Sequence, residues 1–281
     1  MKNLMTTLRS RFKQMIERET TPVNGYVGRF EDWQAAKGQT MGYQDPAIAE
    51  KVAAAVKKIL SGTAIYERDS MLFERREFSF PLAATLLWIA TKTQGQLRVL
   101  DFGGGLGTSY FQNKPFMNWI SHVEWSIVEQ PSFVEQASTV FRGHPLNFYS
   151  NLNEGLQAVK PQFALLSSSL QYVEKPYEVL KEVSEAKVDV IMIDRTLFSS
   201  DRLDYATRQY VPQSIFPAVI PTWVFSKRKF LDYMQQNYCL VSEFPAFKST
   251  TNLDRDGRAL EELGYLFVLK GSVYALAFNQ T

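Results

Sequence analysis

Apolar residues recur along this chain in two rhythms. Leu4, Met5, Leu8, Phe12, Met15 and Ile16 fall at helical spacing, which predicts an amphipathic helix over residues 3–18 that stops near Thr20-Thr21-Pro22. Its other face is basic, which suits a membrane surface, but the plainer reading is a helix packed on its own domain or on a second copy of the chain. Pro46, in a first helical turn that Asp45 can cap, opens a second helix over residues 46–60, and a third is expected over 80–91. The leader, residues 1–92, therefore reads as a largely helical extension.

From Gln96 the rhythm changes. Short apolar runs at 97–100, 123–129, 146–149, 163–167 and 188–193 read as buried strands, with helical or loop material between them. That alternation predicts an α/β fold around a parallel sheet, occupying residues 93–281. Ser226 caps a helix in which Phe230, Leu231 and Met234 share a face, and stretches 239–244 and 265–269 can close the sheet. The run at 273–278 is expected to extend it further. Residues 197–225, rich in aromatic and polar side chains, form an insertion suited to binding an acceptor, because connections at this edge carry specificity. They could equally form a second small core with the leader.

Composition narrows the function classes. Of 281 residues, 45% are apolar and 21% charged, as in ordinary globular chains and unlike disordered or collagenous ones. The net charge of +2 provides no field to gather nucleic acid. One cysteine, Cys239, excludes an intrachain disulfide, and with only His122 and His144 as histidines no metal site is expected. The longest apolar run, residues 81–90, falls short of the roughly 20 residues that cross a bilayer. A cytoplasmic location is expected.

The chemistry concentrates after the first of these strands, in Asp101-Phe102-Gly103-Gly104-Gly105-Leu106-Gly107-Thr108. Glycine lets a ligand approach the backbone, and the helix that follows presents free N–H groups. The dinucleotide fingerprint G-x-G-x-x-G fits Gly103 and Gly105 but requires a glycine where Thr108 stands. The pattern acid-x-Gly-x-Gly-x-Gly, which resembles motif I of class I S-adenosylmethionine-dependent methyltransferases, is met in full by Asp101, Gly103, Gly105 and Gly107. The next strand delivers Glu129, followed by Gln130, where a carboxylate can accept bonds from a ribose diol; an NAD-binding protein would use the same acid. After the third strand, Asn151 is a candidate for the adenine amino group, or simply a turn residue.

Further blocks accompany this motif: Trp33 with Gly42-Tyr43, Tyr66-Glu67-Arg68-Asp69-Ser70, Val128-Glu129-Gln130, Asp194-Arg195-Thr196, and Val211-Pro212 with Pro221-Thr222-Trp223. In this order, over roughly residues 30–240, they resemble a bacterial family of class I S-adenosylmethionine-dependent methyltransferases known mainly from genomes. The resemblance implies a Rossmann-like sheet, mostly parallel with a late antiparallel strand, and S-adenosylmethionine as cofactor with S-adenosylhomocysteine as product. It points faintly to a glycan-type acceptor.

Cofactor contacts are expected from Asp101, Gly103, Gly104, Gly105, Gly107, Glu129, Gln130, Asn151 and Ser168. Ser167 to Tyr172, after the fourth strand, should border the transferred methyl. They stand where amino-methylating enzymes of nucleic acids carry an Asp/Asn-Pro-Pro-aromatic motif, so nucleic acid is not the expected acceptor. Asp194 can serve as a base if burial raises its pKa, or as a structural partner of Arg195. His144 is a base by chemistry alone, or an ordinary loop histidine. Tyr172 completes the catalytic candidates, and Tyr43, Arg68, Asp69, Arg195, Tyr210 and Trp223 are the acceptor-binding candidates. An NAD-linked oxidoreductase and a nucleotide-fold binding protein without turnover remain alternatives.

Overall fold

The computed structural model describes residues 25–38, 46–68, 70–141, 144–211, 218–246, 252–253 and 257–278. The expected helix at 3–18, together with Tyr43, Asp69 and Pro212, lies outside the described residues.

Five strands lie parallel: β4 (Gln96–Phe102), β5 (His122–Val128), β6 (Leu146–Tyr149), β7 (Phe163–Ser167) and β8 (Val190–Ser199). They stand side by side in the order β6-β5-β4-β7-β8. Beyond β8 runs the antiparallel β13 (Ala259–Leu269), which also pairs with β11 (Tyr238–Pro245). The result is the expected α/β fold with a mostly parallel central sheet and one late reversed strand.

Alternation along each strand feeds two cores. Val99, Phe163, Leu165, Val190 and Met192 pack on one side with helices α2 (Pro46–Leu60), α3 (Phe80–Lys92), α4 (Thr108–Met117) and α5 (Pro131–Val140). Leu100, Ala164, Leu166, Ile191 and Ile193 face the other side, against α6 (Leu152–Val159), α7 (Pro176–Glu185) and α8 (Lys227–Met234). Both faces are covered, as near-continuous apolar strands require. One start differs slightly from the sequence reading, α4 beginning at Thr108 rather than near Leu106, while Ser226 caps α8 as expected, accepting the Lys229 N–H at 3.3 Å.

Two larger departures have clear causes. The leader contains strands as well as helices: β1 (Gly25–Phe30) and the hairpin β2 (Tyr66–Arg68) and β3 (Met71–Phe73), besides the short helix α1 (Trp33–Lys37). β1 lacks a partner nearby in sequence. It pairs antiparallel with β9 (Tyr205–Val211), which pairs with β10 (Ala218–Ser226), and the last residues of β10 run parallel to Phe198 and Ser199 of β8. The segment 197–225 is therefore mostly a strand platform that recruits the leader, tied down by Trp33 stacked on Trp223 at 5.9 Å. The second departure is at the end of the chain. Residues 273–278 do not extend the sheet but form a short 3-10 turn at Ala275–Ala277, with Tyr274 buried edge-on to Trp88.

Candidate functional site

Strand order reverses between β4 and β7: the chain moves from β4 outward to β5 and β6, then returns to the other side of β4. In open α/β sheets ligands bind outside the carboxyl ends of the strands at such a switch point. Here a cavity of about 480 Å³ opens there, within the roughly 300–1,000 Å³ of small-molecule sites. Its floor is the glycine turn after β4, and Ile48 and Val52 of α2, Phe133 of α5 and Leu152 supply an apolar wall.

The turn is shaped by three glycines with positive φ, Gly103, Gly105 and Gly107. Gly103 has φ 70°, and a Cβ there would lie 2.5 Å from the Ser169 Cβ; Gly105 has φ 59° and faces open space. The first admits close packing of β7's end loop, and the second leaves the cavity clear. Gly104 sits over the Asp101 carboxylate, at 2.5 Å from the position of a Cβ. Gly107 faces away from the cavity, towards Leu146 and Phe111.

A buried acid, Asp101, and a partly buried one, Glu129, meet at this turn. Asp101 is almost fully buried, with Trp125 Nε1 donating to it at 3.2 Å. Loss of hydration pushes its pKa up to about 7, against the lowering effect of the Trp125 bond, and the neighbouring Glu129 charge adds to the rise. Glu129 accepts the N–H groups of Gly105 at 3.1 Å and Gln130 at 2.8 Å. Burial raises its pKa as well, while those two bonds hold it down. Both carboxylates border the cavity, as do Gln130, Asn151 and Ser168. Asn151 Oδ1 accepts the Glu154 N–H at 3.0 Å, so it caps α6 as well as bordering the cavity.

The far end of the cavity is built differently. Ser167, Ser168, Ser169 and Tyr172 come from the end of β7, Glu67 and Arg68 from β2, and Arg195 from β8. A small recess of about 20 Å³ continues from it, bordered by Arg68, Arg195, Asp194, Thr108 and Tyr66. Glu67 is buried and accepts from the Thr108 hydroxyl and, at 3.3 Å, from the Ser70 N–H. Tyr172 donates its hydroxyl to Gln209 of β9 at 2.8 Å, which links this end to the strand platform.

Arg195 reaches the cavity because β8 bulges. Thr196 pairs with Leu263 and Ile193 with Tyr265, so Asp194 and Arg195 together oppose Gly264. Arg195 takes a positive φ of 51°, as does Ser168 at 53°. The strained pair is held by Ser168 N–H to Asp194 C=O at 2.9 Å, Arg195 N–H to Asp194 Oδ1 at 2.8 Å, and Gln171 Nε2 to Arg195 C=O at 3.0 Å. Bulges recur beside active sites because they re-aim a side chain. Asp194 itself is buried, its pKa pushed up to about 6 by lost hydration, against the Arg195 charge and N–H bond that lower it; Glu262 adds to the rise.

The remaining candidates lie elsewhere. His144 packs against Tyr110, Phe111 and Phe141 and does not border the cavity; burial and Lys114 lower its pKa. Trp223 is taken up by the Trp33 stack and a bond to the Glu174 C=O at 3.3 Å, and Tyr210 pairs with Gly25 in the platform; neither borders the cavity. Asp194 borders the recess rather than the main cavity. Sequence reading did not select Thr108 or the apolar wall as site residues. The helical spacing of Ile48 and Val52 signals a buried face, but not that the face covers a ligand.

No family model matches the chain, and no curated protein matches it. Among solved structures it is similar to a 1,6-didemethyltoxoflavin-N1-methyltransferase from Burkholderia thailandensis with 1,6-didemethyltoxoflavin and S-adenosylhomocysteine bound, at 14% identity over 79% of this chain and 90% of that one, TM-score 0.41. It is also similar to the N-terminal domain of EvdMO1 with S-adenosylhomocysteine bound, at 11% identity over 82% and 98%, TM-score 0.47. A third is CalS10, an amino pentose methyltransferase from Micromonospora echinaspora with S-adenosylmethionine bound, at 12% identity over 70% and 100%, TM-score 0.39.

Proposed function

We propose that this chain is an S-adenosylmethionine-dependent methyltransferase acting on a small-molecule or glycan-type acceptor. The observation that carries the reading is the pair of acids at the glycine turn, Asp101 buried under Gly104 and Glu129 bonded to Gly105. A dinucleotide would set its pyrophosphate against this turn, where the Asp101 carboxylate opposes it and the Gly105 N–H is already taken by Glu129. A ligand with an ammonium and a ribose diol gains from the same two acids. The NAD-linked alternative is therefore not favoured.

The residues present suit the cofactor. Asp101, ionised, holds the amino-acid ammonium; Glu129 accepts from the ribose hydroxyls, each charge-assisted bond contributing about 1.5–3 kcal/mol. The wall of Ile48, Val52, Phe133 and Leu152 suits an adenine ring, beside Asn151. The bound cofactor would supply a methyl group on a sulfonium, ready for in-line attack. The chain's own contribution is then to orient the acceptor at the end of β7 and β8, where positioning can supply up to roughly 7–11 kcal/mol of the barrier. Ser168, Tyr172, Arg68 and Arg195 line that end.

Methyl-labelled S-adenosylmethionine incubated with the protein and the small-molecule fraction of a cell extract tests turnover. Label is expected in a product other than the cofactor, and much less with Glu129→Ala. Binding of S-adenosylhomocysteine with no transfer in any fraction would support the binding protein without turnover instead.

A further inference from the structure

We propose that Asp194 draws a proton from the acceptor through one water molecule held in the recess behind the cavity, so that the group methylated is one that must shed a proton, a hydroxyl or an ammonium. This rests on the reading of the crevice as a methyltransferase site and adds the fate of the acceptor's proton to it.

The recess is the size of a water. Its volume is about 20 Å³, and a water needs roughly 10–15 Å³ of such space together with about three polar partners. Asp194, Gln112 and Ser79 border it and are each more than nine-tenths buried, while Ser109 and Ser167 add hydroxyls. Ser109, Ser167, Thr108, Arg68 and Arg195 border the main cavity as well, so a water here stands between Asp194 and whatever fills the inner end of that cavity. A general base can act across one such water.

β8 is built to bring the carboxylate there. In a regular strand neighbouring side chains point to opposite faces. The bulge opposite Gly264 breaks that alternation, and Asp194 and Arg195 both border the recess. Arg195 gives Asp194 its backbone N–H, to Oδ1 at 2.8 Å, which leaves Oδ2 to accept from the water. The charged and titratable groups that face Asp194 are Arg195 beside it, Glu262 of β13, and Arg68 and Tyr66 of β2 across the recess. Burial and Glu262 outweigh the Arg195 charge and N–H bond, so the carboxylate titrates at about 6 and is ionised, able to take a proton, near neutral pH.

The acceptor's proton passes to the water, which gives one of its own to Asp194. The acceptor's lone pair forms the new bond to the methyl carbon, the bond from that carbon to sulfur breaks, and its electrons stay with the departing thioether. Asp194 afterwards releases the proton to solvent.

The test has two readouts. A high-resolution crystal structure of the full chain with S-adenosylhomocysteine is expected to show a water in the recess, bonded to Asp194 Oδ2 and to the Ser109 or Ser167 hydroxyl. Initial rates of methyl transfer are then measured from pH 5 to 8, with saturating methyl-labelled S-adenosylmethionine and the small-molecule fraction of a cell extract at one dilution. Dividing the wild-type rate by the Asp194→Asn rate cancels the titration of the acceptor. That ratio should rise about tenfold between pH 5 and 7 and then level off, as a base with a pKa of about 6 ionises. Ser109→Val, which crowds the water and keeps the carboxylate, should give the same rise, and it carries the test should thermal melting show the Asn variant unfolded. A recess without water, or a ratio constant with pH as a purely structural Asp194 predicts, overturns the proposal. Failure of the wild-type chain to bind S-adenosylhomocysteine, or to label any product, would instead overturn the methyltransferase reading beneath it.

Discussion

Glu129 accepts the backbone N–H of Gly105 at 3.1 Å, so the acid after β5 and the glycine turn after β4 form one hydrogen-bonded unit. A second bond, from the Gln130 N–H at 2.8 Å, fixes the same carboxylate from its own side. The acid is thereby oriented before any ligand arrives, and little entropy remains to be lost on binding.

Replacing Glu129 by Ala removes the ribose acceptor. Affinity for S-adenosylhomocysteine should fall about 10- to 100-fold, from the loss of one charge-assisted bond of about 1.5–3 kcal/mol. Calorimetry on the wild type and variant checks this, with thermal midpoints to separate ligand loss from loosening of the turn.

Two of the turn's positive-φ glycines, Gly103 and Gly105, should fail in different ways. In Gly103→Ala the new methyl meets the Ser169 Cβ at 2.5 Å, so folding should suffer by about 1–3 kcal/mol, read from denaturant midpoints. In Gly105→Ala the methyl enters open cavity, so the smaller conformational cost of about 1 kcal/mol should come with a larger loss of cofactor affinity.

Asp101 should impose a pH dependence on both folding and binding. Its pKa of about 7 lies above the ordinary 3.8, so its contribution to stability is full below about pH 4 and is lost as pH rises through 7. Asp101→Asn should match the wild type near pH 4 and be more stable at pH 8, by up to about 4 kcal/mol. Cofactor affinity runs the other way: it should rise about tenfold from pH 6 to 8 as the carboxylate ionises, flattening as the ligand's ammonium loses its proton near pH 8. The Asn variant should lose that rise. Melting curves and titrations across this range measure both.

Much of this was legible in the sequence where one physical rule dominates. The strand at 163–167 shows as an apolar run because both of its faces are buried, and the turn shows because glycine tolerates its backbone. The sequence hid β8's true length for a local reason: Asp194-Arg195-Thr196 looks like the polar end of a strand, whereas a bulge carries the strand through it to Ser199. The platform was hidden for a non-local one. β1 is specified by pairing with β9, far along the chain, and its own residues carry little strand signal. His144, chemically plausible as a base, belongs to an aromatic cluster that no short-range pattern reveals.

Platform and crevice should separate on mutation. Trp33→Ala removes the stack on Trp223 and should destabilise the β1-β9-β10 platform, a buried Trp→Ala change costing about 3–5 kcal/mol. Limited proteolysis should then cut within residues 205–226. Affinity for S-adenosylhomocysteine should change less than threefold, because no platform residue borders the cofactor cavity.

The most direct measurement is a pair of titrations of the wild-type chain, one with S-adenosylhomocysteine and one with NADH. The acids at the turn predict one-site, micromolar binding of the sulfur nucleoside and no measurable heat from NADH. Tight NADH binding without a response to S-adenosylhomocysteine would contradict the account.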